Sequence, residues 1–398
     1  MRLKPLIIHI ITRLEPGGSS RNTVDSCASQ SKDFDVILLH GPHPGTEQLL
    51  KLLPPAVNCI EIRYLQRELS PLKDLKALLE LSKELRELAP DIVHTHTSKA
   101  GALGRLAARA AGLLSKKPAI VVHTPHGHLL YGYYGPVKTA VFRLAERFLS
   151  RFTDHFIALT PGELNESVAA GLGRREQWVV VHSGVDFTPP AVPARKPDLG
   201  IEKDELAVGT VARLEPVKGV EYFIRAAALL KARGLAAKAR FVVIGDGELE
   251  TQLRNLSDDL GLGDRVIFTG FRRDVAALLS ALDVYVQPSL NEGMGRAPLE
   301  AQARGVPVVV SRVCGLPDVI REGETGFAVN PGDPDELADK LGLLLLSPEL
   351  RARMGKAAAE WASAKDETGF PHFGVESMNA RLESFYRKTL RDAGKAGV

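Results

Sequence analysis

Cysteine is scarce in this chain. The three present, Cys27, Cys59 and Cys314, stand far apart with no Cys-x-x-Cys pair. That excludes a disulfide framework and a zinc knuckle as organising devices, and it fits a reducing cytoplasm. Long apolar runs are missing too. The first, Leu6–Ile11, has six residues and is interrupted by His9. It is short for a signal peptide and far short of a membrane span, so it reads as a buried first strand. There is no low-complexity tract and no fixed-period repeat. Nor does one sign of charge dominate. Lys plus Arg number 51 against 48 Asp plus Glu, a net +3, too little to imply nucleic acid, and no nucleic-acid partner is expected. The balance is uneven, however. Residues 1–187 hold 23 basic against 18 acidic side chains, and ten of the eleven histidines. A mildly basic first half is compatible with an anionic acceptor or membrane surface, and equally with an ordinary solvated surface.

A chain of 398 residues is too long for one ordinary core and comfortable for two domains. Short apolar runs at 5–12, 36–40, 92–95, 119–123 and 155–159 alternate with helical-period stretches such as 72–88 and 99–111. This alternation predicts a parallel sheet with helices on both faces. Residues 187–200 carry Pro189, Pro190, Pro193 and Pro197 and little periodicity, which marks a linker. The pattern then restarts with strand candidates at 206–211, 240–244, 266–268, 284–286 and 306–310. The expected organisation is an N-terminal acceptor-side domain over 1–187 and a linker over 188–200. A donor domain follows over 201–365, and a helical segment over 366–398 is expected to cross back onto the first domain.

Ligands bind beyond the carboxyl ends of parallel strands, so the loops there are the places for chemistry. After the strand candidate at 284–286 comes Gln287-Pro-Ser-Leu-Asn-Glu-Gly-Met-Gly-Arg-Ala-Pro-Leu-Glu300. Glu292 and Glu300 lie eight positions apart, the first on a loop and the second in the second turn of a helix opening near Gly295. Gly293 and Gly295 let backbone amides approach a ligand, and the positive end of the helix favours a phosphate. A carboxylate one turn deeper suits a ribose diol. The plain alternative is one capping and one solvated glutamate. Arg213 and Lys218 follow the strand candidate at 206–211, where two cations can neutralise a diphosphate. Gly245-Asp246-Gly247 forms a tight turn that is either ligand-side or purely structural. Backbone beside Gly270 and Phe271 is placed to read a nucleobase edge. Near the start, Gly17 and Gly18 let the chain pass close to phosphates, but Gly-x-Gly-x-x-Gly is absent, so the dinucleotide fingerprint fails.

Histidines 94, 96, 123, 126 and 128 invite a metal reading, yet no Cys, Asp or Glu completes a ligand set. One histidine bonding a sugar hydroxyl or phosphate, with His126 best placed, is the preferred reading, and the others are core or surface residues. Two Asp-x-Asp pairs, Asp33/Asp35 and Asp333/Asp335, are read as structural. No divalent metal or other cofactor is expected.

Together these stretches resemble glycosyltransferase family 4, retaining enzymes of the GT-B fold. The resemblance is densest from Gly209 onward, in GTVARLEPVKG, IGDGEL, FTGF, NEGMGRAPLEA and GLPDVIREGETGF. It implies two facing doubly wound Rossmann-like domains and a metal-independent transfer of a hexosyl group from a nucleotide sugar. A UDP-sugar is favoured, with GDP-mannose second. By position, it places Arg213 and Lys218 on the donor diphosphate, Glu300 on the ribose and Glu292 on the hexose. The amides of Gly293, Met294 and Gly295 would touch sugar hydroxyls, His126 would sit near the sugar and its phosphate, and Gly17 and Gly18 would close over the phosphates. Met294 and Arg296 depart from the family's usual residues, as do Ser19, Ser20 and Arg21 after the first loop. The implied acceptor is a glycan or lipid-linked molecule in surface polysaccharide or glycolipid synthesis. Arg143, Arg147 and Arg151, spaced by four on a helix that also carries Val141, Phe142, Leu144, Phe148 and Leu149, fit either peripheral attachment to anionic lipid on the inner face of the cytoplasmic membrane or an ordinary amphipathic helix with a solvated face. Two alternatives are a nucleotide-sugar epimerase of the same fold and a non-catalytic nucleotide-sugar binder.

Overall fold

A computed structural model of the chain describes residues 4–113, 115, 117–128 and 130–395. It divides into two compact units. Unit 1 comprises residues 1–130, 134–184 and 374–398, and unit 2 comprises 131–133 and 185–373.

Unit 1 runs β1 (Leu6–Ile11), α1 (Gly18–Gln30), β2 (Asp35–His40), α2 (Thr46–Leu50), β3 (Val57–Glu61), α3 (Pro71–Leu88) and β4 (Ile92–His96). It continues with α4 (Ser98–Gly112), β5 (Ile120–Thr124), α5 (Pro136–Leu149), β6 (His155–Ala158), α6 (Pro161–Ala169) and β7 (Trp178–Val180). Among the described residues its strands form one sheet of order β3-β2-β1-β4-β5-β6-β7, every pair parallel. The central strands are apolar on both faces because helices cover both. Leu6, Ile8 and Ile10 pack with Ala77, Leu81 and Leu85 of α3 and with α4. Ile7 and Ile11 pack on the other face with Val24 and Cys27 of α1.

Unit 2 runs β8 (Leu206–Val211), α7 (Val220–Ala232), β9 (Ala239–Ile244), α8 (Glu250–Asp259), β10 (Val266–Gly270), α9 (Val275–Leu278) and β11 (Val284–Gln287). It continues with α10 (Arg296–Gln302), β12 (Val308–Ser311), β13 (Gly326–Val329), α11 (Pro334–Leu346) and α12 (Pro348–Ser363). The second sheet, again parallel throughout, has order β10-β9-β8-β11-β12-β13. The last helix, α13 (Val375–Asp392), returns to unit 1 as expected. It lays Met378, Leu382, Tyr386 and Leu390 into the α1 face of the first core, and each such burial stabilises by roughly 1.5–3 kcal/mol.

Strand order reverses between β1 and β4 in the first sheet and between β8 and β11 in the second. Loops on either side of such a reversal diverge and leave a crevice at the carboxyl ends of the strands. Gly17 and Gly18 follow β1, Arg213 and Lys218 follow β8, and Glu292 to Glu300 follow β11, whereas His126 follows β5 and Gly270 and Phe271 lie at the end of the edge strand β10. Three strands were not anticipated. β3, β7 and β13 all lie at sheet edges, and they are short, part-exposed or open with glycine. Two predicted elements start later than expected. The strand expected at 306–310 begins at Val308, after Pro307, and the last helix begins at Val375, after Gly374.

Candidate functional site

In unit 2 the loop after β8 and the loop after β11 are built against each other. Leu290 donates its amide to the Val217 carbonyl at 2.8 Å. Gly219 has φ +63°, and a Cβ there would lie 2.1 Å from the Pro288 carbonyl oxygen, so only glycine permits this approach. The approach brings two of the predicted residues together. Lys218 Nζ donates to Glu292 Oε2 at 2.5 Å, with both side chains about one-fifth exposed. Burial works against the Lys218 charge, but Glu292 and Tyr133 outweigh it and hold the ammonium above its ordinary pKa. Glu292 is also the end of a chain of side chains. Tyr285 donates to Gln287 Oε1, Gln287 Nε2 donates to Ser289 Oγ at 2.8 Å, and Ser289 Oγ donates to Glu292 Oε2 at 3.5 Å. Tyr285, Gln287 and Ser289 were not singled out in the sequence, although their alternation along QPSLNE is visible there.

Arg213 is exposed and lies 3.2 Å from Glu215, and its charge is near enough to Lys218 to oppose that ammonium. The glycine turn at 245–247 proves to brace the Arg213 loop, since Leu214 donates its amide to the Asp246 carbonyl at 2.8 Å and Leu249 donates to the Leu214 carbonyl at 3.0 Å. Gly270 accepts the Gly245 amide through its carbonyl, while the Phe271 side chain is about half exposed. Gly295, with φ +76°, precedes α10, a helix of only seven residues. Glu300 sits in its second turn, part-exposed, and Met294 is buried, so Met294 has only its backbone to offer a ligand. Unit 2 also takes in residues 131–133, where Asn291 Nδ2 donates to the Tyr131 carbonyl at 2.9 Å. The Tyr133 phenol lies within electrostatic range of Lys218, Glu292, Glu215 and Arg213.

In unit 1 Gly17 and Gly18 are exposed at the start of α1. His126 follows β5 with φ 59°, an uncommon conformation for a residue with a Cβ. The turn is held by Glu163, a fully buried residue the sequence reading missed. Its two carboxylate oxygens accept the Gly127 amide at 2.7 Å and the Leu159 amide at 2.6 Å. Burial pushes the Glu163 carboxyl above its ordinary range, and these two amides oppose the rise. Two of the other histidines, buried in the core as read from the sequence, are joined to His126. His126 Nε2 meets His96 Nδ1 at 2.9 Å, and His96 Nε2 meets His9 Nδ1 at 2.8 Å. Strand register causes this, because His9 pairs with His94 across β1 and β4, and His96 is two residues further along the same face.

The Asp-x-Asp pairs have structural employment. Asp33 pairs with Arg387 at 3.0 Å, Asp333 caps α11 by accepting the Glu336 amide, and Asp335 pairs with Arg233. On α5, Arg143 and Arg147 are exposed, whereas Arg151 falls beyond the helix in a 3-10 turn, so the basic stripe is shorter than expected.

Two Rossmann-like units, each built on an open parallel sheet, are the architecture of the GT-B glycosyltransferases. The comparisons give the same answer. A model described as "Glycosyl transferase 4-like domain" matches residues 20–184, and one described as "Glycosyl transferases group 1" matches 192–361. The chain is 33% identical over 320 residues to an Escherichia coli UDP-Gal:alpha-D-GlcNAc-diphosphoundecaprenol alpha-1,3-galactosyltransferase, covering 78% of this chain and 80% of that one. It is 34% identical to a D-inositol 3-phosphate glycosyltransferase of Corynebacterium efficiens, over 77% and 73% of the two chains. Among solved structures it resembles Anabaena HepE in complex with UDP-glucose (TM-score 0.79, 23% identity, 96% and 99% coverage). It also resembles sucrose-phosphate synthase from Thermosynechococcus elongatus (TM-score 0.80, 20% identity, 98% and 100% coverage). The chain belongs to glycosyltransferase family 4.

Proposed function

We propose that the chain transfers a hexosyl group from a UDP-sugar to a glycan or lipid-linked acceptor, with retention of configuration and without a divalent metal. GDP-mannose is the second-choice donor. The observation that carries this reading is the Lys218–Glu292 pair at the strand reversal, with Arg213 on the same loop as Lys218. As the glycosidic bond breaks, negative charge gathers on the departing diphosphate. Lys218 and Arg213 would stabilise that charge, and an ammonium already freed of bulk water needs little reorganisation to do so. Glu292, displaced from Lys218 by the diphosphate, would turn to the hexose hydroxyls, and Glu300 would bind the ribose. Amides from Gly293 to Gly295 would meet the sugar, Gly17 and Gly18 the phosphates, and His126 the sugar beside its phosphate. The departing phosphate, held on one face, guides the acceptor to that face, so the product keeps the donor's configuration. The names of the relatives support a UDP-sugar and a lipid-linked acceptor. Hydrolysis of a donor panel, reading free UDP and GDP with and without acceptor, tests the reading. UDP release that rises with acceptor is expected. Binding without release would instead mark a non-catalytic binder.

The acceptor side carries a second part of the proposal, peripheral attachment at the inner face of the cytoplasmic membrane. No helix of the described residues is long and apolar enough to cross a membrane. α5 nevertheless exposes Val137, Val141, Leu144 and Phe148 at 77, 61, 61 and 52%, spaced as a single helical stripe and flanked by Lys138, Arg143 and Arg147. α3, which like α5 neighbours α4, exposes Leu72, Leu75 and Leu79 beside Lys73 and Lys76. Apolar stripes bordered by cations match an anionic lipid surface. Vesicle flotation should rise with anionic lipid and fall with salt, and equal binding to neutral vesicles would remove this part.

A further inference from the structure

Unit 1 contains a run of buried imidazoles that the proposed chemistry does not use. His9, His94 and His96 are at most 2% exposed. Their ring nitrogens lie close enough together to hold an ion, but each nitrogen already has a partner. His94 Nδ1 meets the Tyr386 hydroxyl at 2.5 Å and its Nε2 meets Thr124 Oγ1 at 2.8 Å. His9 Nε2 meets Gln30 Oε1 at 2.8 Å. The remaining contacts run His9 to His96 to His126. The nitrogens are at hydrogen-bond separation, and the set is a chain of hydrogen bonds, Gln30–His9–His96–His126.

Such a chain has a polarity. A neutral imidazole has one N–H and one lone pair, so each contact must hold one proton, and choosing one end decides all the others. Burial keeps the rings neutral by disfavouring the charged form. At one end stands Gln30, itself buried, with its carbonyl oxygen turned to His9 and its amide nitrogen without a hydrogen bond to any described residue. A carbonyl only accepts. His9 must therefore donate through Nε2, leaving its Nδ1 to accept from His96 Nε2–H. His96 Nδ1 must then accept from His126 Nε2–H. The last ring is left with a bare Nδ1, which makes no hydrogen bond to any described residue.

We infer that Gln30 sets the tautomer of His126 through His9 and His96, so that His126 presents a hydrogen-bond acceptor to its ligand. This rests on the reading of His126 as a donor-side residue. An acceptor nitrogen selects a hydroxyl over a phosphate oxygen, because two lone pairs repel. His126 would thus read a sugar hydroxyl, and its binding preference would be decided about three side chains away. Gln30, His9 and His96 are positioning residues. An amide turned end for end at Gln30 would reverse every bond and make His126 a donor, which suits phosphate instead.

Histidine-selective ¹⁵N labelling of the full chain, with His126→Asn for assignment, reads the tautomers at pH 7.5. The expected wild-type spectrum has a pyrrole-type Nε2 and a pyridine-type Nδ1 for His9, His96 and His126. A protonated Nδ1 on His126, or an imidazolium at any of the three, overturns the inference. So does displacement of the signals by added Zn²⁺, which would replace the chain with a metal site. Gln30→Leu removes the fixed acceptor and should move His126 towards a mixture of tautomers. It should also lower kcat/KM for the donor roughly tenfold, about the worth of one hydrogen bond. Gln30→Glu, which offers only acceptors while its carboxyl is ionised and His9 stays neutral, should restore both. Should Gln30→Leu fail to fold, the wild-type and Gln30→Glu spectra still decide. If Gln30→Leu shifts the tautomer but leaves donor kinetics unchanged, the relay stands and the donor-side role of His126 falls.

Discussion

The two units present their strand ends in different chemical languages. Unit 2 places charge there: Lys218 against Glu292, and Arg213 beside Glu215. Unit 1 places neutral rings there, joined ring to ring and buried so thoroughly that His9 titrates near 4 and His126 near 3. The difference follows from what each could hold. A diphosphate gaining charge needs fixed positive charge in a partly dry site, and lysine keeps its proton there only with a carboxylate beside it. Neutral imidazoles offer direction and polarity without net charge, which suits discrimination among hydroxyls.

The charged side should be the more sensitive to deletion. Lys218→Ala should lower turnover by roughly a hundredfold or more, the usual cost of losing one preorganised group at a developing anion, with the melting temperature little changed because the pair is part-exposed. Steady-state kinetics with saturating donor decide it, and wild-type turnover would remove Lys218 from the site. The neutral side should be the more sensitive to acid. Burial lowers the His9 pKa from 6.5 to about 4, so the unfolded chain binds more protons than the native one between these values. Stability therefore falls as pH drops through that window and is fully present above it. His9 alone should remove roughly 2 kcal/mol between pH 7 and pH 5. Denaturant titrations at the two pH values should show this loss, and His9→Gln should show less of it. A slope of the opposite sign contradicts the buried neutral chain. The smallest effect is expected at Glu163. Glutamine keeps only one acceptor for the two amides that Glu163 serves. Relief from burying a charge offsets part of that loss, leaving a destabilisation of about 1 kcal/mol. Donor KM should also rise as the His126 turn loosens, and an unchanged KM would detach Glu163 from the site.

The same contrast explains what could be read in advance. Arg213, Lys218, Glu292 and Glu300 each lie in the one loop or helix that follows their own strand, so a local motif exposes them. The central strands announce themselves because both faces are apolar, as in β1 and β8. β3, β7 and β13 have one covered face or three to five residues, which leaves no pattern to find. The histidine chain was invisible for another reason. Gln30, His9, His96 and His126 come from four separate elements, and the parallel registers of β1 with β4 and of β4 with β5 bring the three rings together. Glu163 was hidden similarly, looking like an ordinary helix-start glutamate in TPGELNE. The exposed leucines of α3 were masked by the buried ones, since the helix is apolar on two faces and a period alone does not tell which face is covered.

The central claim is that protein cations, not a metal, balance the leaving diphosphate, and that this geometry fixes the stereochemistry. Transfer from a UDP-sugar should be measured on metal-stripped protein in excess EDTA, with the product's anomeric coupling read by proton NMR. The account predicts undiminished transfer and a product with the donor's anomeric configuration. Activity lost in EDTA and restored only by Mg²⁺ or Mn²⁺ would contradict the charge balance, and an inverted product would contradict the proposed retention.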